Sequence, residues 1–137
     1  MFDVLGDLDW IGILVGFLAF TLLGGAWFAG LFPAAYNRSL GRDPKAKPDP
    51  TPLFFAGPPL TCLVITITTA ILMAALKIET YGDGLLLGGL VGAGYLTANT
   101  VNIAINPNFP RPLLYAAISG GYNILGSLIV SALLVAL

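Results

Sequence analysis

Four stretches of nearly equal length carry no charged side chain: residues 10–37, 50–76, 84–110 and 112–137, of 28, 27, 27 and 26 residues. A helix rising about 1.5 Å per residue needs roughly 20 residues to cross a bilayer. Each stretch is long enough to do so, and a charge stands at every boundary between them. Strands of an outer-membrane barrel would alternate polar and apolar side chains with a period of two, and these stretches do not. Only 9% of the chain is charged and 57% is hydrophobic, whereas soluble domains carry about 25% charged residues. A soluble fold of 137 residues could not hide that much apolar surface, so lipid is its solvent.

The expected fold is therefore an all-α membrane protein in a single domain, residues 1–137. Its four transmembrane helices, at about 10–32, 52–76, 85–106 and 112–137, form an antiparallel up-down bundle. The N-terminal MFDVLGDLDW holds Asp3, Asp7 and Asp9 and no basic residue. It reads as an interfacial lead-in, with Trp10 at the membrane surface, and not as a signal peptide. Residues 33–51 read as an extended loop, because Pro44, Pro48 and Pro50 prevent helix from continuing. Pro58-Pro59 inside the second helix predicts a kink, or a helix start just before the pair. Thr61, Thr66, Thr68 and Thr69 are expected to bond carbonyls of their own helix.

Basic residues set the expected orientation. Arg38, Arg42, Lys45, Lys47 and Arg111 belong to the first and third loops, and Lys77 alone to the second. The positive-inside rule then puts loops one and three in the cytoplasm and both termini on the non-cytoplasmic side, with a bacterial inner membrane as the location. The five cytoplasmic cations are also candidate contacts for anionic lipid, beside the plainer reading of a solvated basic loop. Pro52-Leu53-Phe54-Phe55-Ala56 echoes Pro112-Leu113-Leu114-Tyr115-Ala116. A duplicated hairpin would produce the echo, and so would chance among apolar residues.

The polar residues worth a functional question lie in the last two helices. Tyr95, Asn99 and Asn102 approach a proline corner, followed by Asn106 and Asn108. Ser119, Asn123, Ser127 and Ser131 recur every four residues in the last helix, joined by Tyr122. Counting about 1.5 Å per residue from the shared corner places Asn99 level with Ser119 and Tyr95 level with Asn123. An unpaired amide in hydrocarbon is costly, so Tyr95, Asn99, Asn102, Ser119, Tyr122 and Asn123 are expected to form a seam between helices three and four. Two readings of that seam stand: interhelical glue, or a neutral polar pocket for a small molecule or lipid head group.

What the chain lacks bears on chemistry. The predicted spans hold no Asp, Glu, Lys or Arg, and the chain has no His, which argues against proton-coupled transport. The single cysteine, Cys62, rules out a disulfide within one chain and any His/Cys metal cluster. No base accompanies the serines. No catalytic residue, metal site or cofactor is expected, and no nucleic-acid partner.

Gly24-Gly25-Ala26-Trp27-Phe28, then Asn37-Arg38 with Leu40-Gly41, then an asparagine ending helix three and Tyr122-Asn123 in helix four, form a set. In that set the chain resembles a family of small bacterial four-helix membrane proteins, domain of unknown function 1761. The family pair is often Tyr-His where this chain has Tyr122-Asn123. The resemblance implies a four-helix inner-membrane protein and no particular activity. With its bare apolar faces and small-residue notches, the chain reads as a non-enzymatic accessory or scaffold subunit. Its expected partners are lipids and other integral membrane proteins, in a photosynthetic or respiratory complex, and its faces also suit a homo-oligomer. The alternative is a small-solute or lipid carrier with a neutral polar site between helices three and four.

Overall fold

The computed structural model of the protein describes residues 2–137 and is all-helical, with no strand among the described residues. Four helices are long and apolar enough to cross a membrane: α1 (Trp10–Leu31), α3 (Pro52–Leu76), α4 (Tyr81–Ala104) and α5 (Pro112–Ala136). A short helix, α2 (Pro33–Ser39), follows α1, and a 3-10 turn (Phe2–Gly6) precedes it.

The helix starts follow local chemistry. Asp9 caps α1 by accepting from the Ile11 N–H at 3.0 Å, and Thr51 caps α3 by accepting from Phe54 N–H at 3.2 Å. Pro33, Pro52 and Pro112 occupy first-turn positions, where a missing N–H costs nothing. α4 starts at Tyr81, four residues before the predicted boundary. Thr80 accepts from the Asp83 N–H at 3.2 Å and donates to its carboxylate at 2.9 Å, a reciprocal cap. Asp83 therefore belongs to the first turn of the third long helix.

One further expectation is corrected. The loop is not extended throughout: Pro33–Ser39 is helical, with Ser39 fully buried and bonded to Tyr36 O at 2.6 Å. Of the two readings of Pro58-Pro59, a helix start just before the pair does not hold, because α3 is already helical from Pro52 and includes both prolines. The threonines of α3 behave as their chemistry predicts. Thr61, Thr66, Thr68 and Thr69 each donate to a carbonyl of α3, at 2.8 Å.

The helices are not packed in chain order. α5 is the hub, with α4 on one side and α1 on the other, and α3 packs outside α1. α3 also reaches α5 directly, through Cys62 beside Tyr122 and Val130. Although joined by a short turn, α3 and α4 scarcely meet beyond the end where that turn connects them. Between them lies a cleft of about 330 Å³, lined among others by Val64, Thr68, Leu72, Val91 and Tyr95.

The α4–α5 contact is a glycine notch against a serine ridge. A Cβ on Gly88 would lie 2.8 Å from Ser131 Oγ and from Ser127 O, and one on Gly92 would lie 2.8 Å from Ile124 Cα. Such close approach is the usual route to tight helix pairs in lipid. On the α1 side, a Cβ on Gly126 would overlap the ring of Phe20, which is fully buried beside Cys62 and Val130.

Candidate functional site

Two of the long helices contain π-helical segments, Ala26–Leu31 at the end of α1 and Leu90–Thr97 in the middle of α4. A π turn closes i→i+5 bonds and takes in an extra residue. Everything beyond it is turned back by roughly the 100° that one residue spans in an α-helix. In α4 this decides which side chains face α5. Gly84, Gly88 and Gly92 face it as a straight helix would have them. Continued without the π segment, the same face would hold Tyr95, Asn99 and Asn102. The inserted residue hands it to Thr100 and Ala104 instead, with Ala104 fully buried.

The polar contacts converge on residues 118–123 of α5, from both sides. From α1, the Trp27 indole N–H donates to Ile118 O at 2.9 Å. From α4, the Thr97 hydroxyl donates to Gly120 O at 3.1 Å. In return, Tyr122 donates to Phe20 O of α1 at 3.3 Å, and the Asn123 amide donates to Thr100 Oγ1 of α4 at 2.9 Å. Gly120-Gly121 makes room for both incoming side chains. A Cβ on Gly120 would lie 2.7 Å from Thr97 Cγ2, and one on Gly121 would lie 3.2 Å from the Trp27 ring. Nothing in the sequence reading singled out Trp27, Thr97, Thr100 or this glycine pair as partners. The available signal was two adjacent glycines in mid-helix, directly before Tyr122-Asn123.

Tyr122 also lies 3.2 Å from Cys62 Sγ. A phenol has one proton. With that proton on Phe20 O, the buried thiol is the donor to the phenol oxygen. Cys62 thus ties α3 into the clamp. Around Tyr122 the rings of Phe20 and Phe28 pack at 5.0 and 5.2 Å, and the column continues through Tyr36 and Tyr115 to Phe109. Burial pushes the Tyr36 phenol above its usual range, the neighbouring Tyr115 adds to this, and the Arg42 charge opposes it.

The six residues expected in one seam are distributed over three environments. Asn123 faces α4, where it meets Thr100 in place of Asn99. Tyr122 faces α1 and α3, and Ser119 is buried on α5. Tyr95, Asn99 and Asn102 are exposed, Tyr95 to 76%, and their side chains form no hydrogen bond with another described residue. They lie on the side of α4 turned away from α5, with Tyr95 at the rim of the α3–α4 cleft.

Arg38, Arg42, Lys45, Lys47 and Arg111 are all exposed, at the end of the bundle opposite Lys77. Two contacts hold that end together. Asn37 donates to Pro44 O and Ala46 O, at 3.3 and 2.9 Å. Gly41, at φ 71, sits so close to Pro110 that a Cβ would lie 3.0 Å from its ring. Glycine takes that backbone conformation without strain and leaves that space.

A family model described as Protein of unknown function (DUF1761) matches residues 11–135. No curated protein and no solved structure matches the chain. The motif residues that carry the resemblance are residues of the clamp and its loop. Gly24 adjoins the Tyr122 hydroxyl, Trp27 and Phe28 contact α5, Asn37 and Gly41 fix the loop, and Tyr122-Asn123 form the hub.

Proposed function

We propose a function for this chain from its packing alone, because it belongs to the family described as Protein of unknown function (DUF1761), whose description assigns no activity. The chain is a helix-packing membrane protein, a non-enzymatic accessory or scaffold subunit that docks against other membrane-embedded helices. One observation carries this reading. Tyr95, Asn99 and Asn102 are exposed on a membrane-spanning helix, and no other described residue bonds their side chains.

Depth makes that observation costly to the isolated chain. Counted back from Ala104 at about 1.5 Å per residue, Asn99 lies about 8 Å and Tyr95 about 14 Å from the helix end. α4 has 24 residues, about 36 Å, against a hydrocarbon core of about 30 Å. Both polar groups thus fall inside the core. A polar group left unpaired in hydrocarbon costs several kcal/mol, roughly, and a docked helix relieves this by supplying partners. The groups of the clamp, by contrast, are consumed within the chain.

The basic end, with five exposed cations, is the cytoplasmic end in this proposal, and the membrane is a bacterial inner membrane. The test is gentle-detergent purification of the wild type and of Asn99→Leu. The proposal expects stoichiometric copurification of membrane-protein chains, second copies included, reduced in the variant. A lone monomer from both would overturn it.

A second reading has its own observation. The cleft of about 330 Å³ between α3 and α4 has Tyr95 in its lining. A lipid or small-solute carrier would use this cleft, and not the α4–α5 seam that Asn123 and Thr100 close. Binding of a lipid or solute that is lost in Tyr95→Phe would favour it.

A further inference from the structure

We infer that the first occupant of the exposed α4 face is a second copy of this chain, paired about a two-fold axis along the membrane normal that passes beside Asn99. This rests on the packing reading above and names the partner.

The chemistry of the face favours self-pairing. Two copies share one orientation in the membrane, so such an axis brings every residue to its own counterpart at equal depth. Among neutral side chains an amide suits that geometry, since it donates through Nδ2 and accepts through Oδ1. Asn99 can therefore satisfy Asn99 of the second copy, and Asn102 likewise nearer the basic end. A face dominated by acceptors or donors alone would need a different partner.

The shape of the face agrees. Gly94 and Ala98 stand four residues apart beside the asparagines and are exposed, and a Cβ on Gly94 would meet nothing within 4 Å. Small residues in that spacing let two backbones approach closely enough for short amide side chains to meet. Tyr95, one turn further into the membrane, cannot fit between the backbones. It projects instead beside the open α3–α4 cleft. The π segment of α4 is what assembles this face, because without it Tyr95 and Asn99 would be turned against α5.

The test uses the full chain with Cys62→Ala, so that one introduced cysteine is the only thiol. In native membranes, oxidation of Asn99→Cys is expected to give a disulfide-linked dimer of the chain, and oxidation of Val101→Cys, on the other side of α4, none. Separately, self-association measured by energy transfer in lipid vesicles should be about tenfold weaker in Asn99→Leu and retained in Asn99→Gln, as for other interhelical amides. Failure of Asn99→Cys to link to itself, or self-association unchanged in Asn99→Leu, overturns the pairing. If Asn99→Leu releases a different membrane protein while no self-link forms, the second-copy assignment falls and the packing reading survives. If neither partner is found, both fall.

Discussion

The Asn123 amide donates to Thr100 Oγ1 at 2.9 Å across the α4–α5 contact, while Asn99, the residue before Thr100, is exposed on another face of α4. The bond is one of four that tie residues 118–123 of α5 to the helices on either side. Interhelical bonds of this kind contribute about 0.6 kcal/mol each, up to about 2. Asn123→Leu and Thr100→Val should each lower unfolding free energy in mild detergent by an amount in that range, and the double variant by no more than the larger single effect plus a few tenths. Asn99→Leu should leave the stability of the monomer unchanged. Equal losses at 99 and 100 would contradict the assigned faces.

The contact of Gly126 with Phe20 gives a second prediction. A methyl group there overlaps the Phe20 ring, and overpacking costs about 1–3 kcal/mol. Gly126→Ala should therefore destabilise the wild type by about that amount. In a Phe20→Ala background the same change should cost almost nothing, because the ring that it displaces is gone. A double-mutant cycle reads the coupling directly.

Most of the architecture was legible in the sequence, because it follows from charge placement and helix length. Four uncharged intervals give four spans, and Pro52 and Pro112 mark the starts of two of them. The face of Asn99 was not legible. From Gly84 to Asn102 the small and polar residues fit one straight α-helical stripe, and a straight helix would indeed turn them all toward α5. The π segment at Leu90–Thr97 breaks that stripe, and a count that assumes a constant 3.6 residues per turn does not contain it. The early start of α4 escaped for a smaller reason. Gly82 and Gly84 read as turn residues, although Thr80 and Asp83 supply a reciprocal cap.

Tyr36 gives a pH-dependent prediction. Its phenol is held above the usual range, chiefly by burial, so the folded state favours the neutral form. The associated stability is fully present below the unfolded value of about 10, and is lost as pH rises through the higher folded value. In an alkaline titration followed by tyrosinate absorbance, Tyr36→Phe should remove a late-titrating step. The variant should also lose stability less steeply as pH rises from about 10 to that late step. Removal of an early step would contradict the burial of Tyr36 against Tyr115 and Phe28.

The proposed orientation predicts accessibility. In a Cys62→Ala background, Lys77→Cys should react with a membrane-impermeant maleimide on intact cells stripped of their outer barrier. Lys45→Cys should react only after the membrane is broken. The reverse pattern would place the basic end outside and contradict the proposal.

Cysteine pairs across α4 and α5 test the central claim, that the π segment of α4 hands the α5 contact from Asn99 to Thr100. With Cys62 replaced by alanine, Thr100→Cys/Asn123→Cys should close a disulfide within one chain on mild oxidation, seen as the loss of two hydrogens in the intact mass of the monomer. Asn99→Cys/Asn123→Cys should leave both thiols free of that internal link. An internal disulfide from the 99–123 pair, with none from the 100–123 pair, would contradict the account.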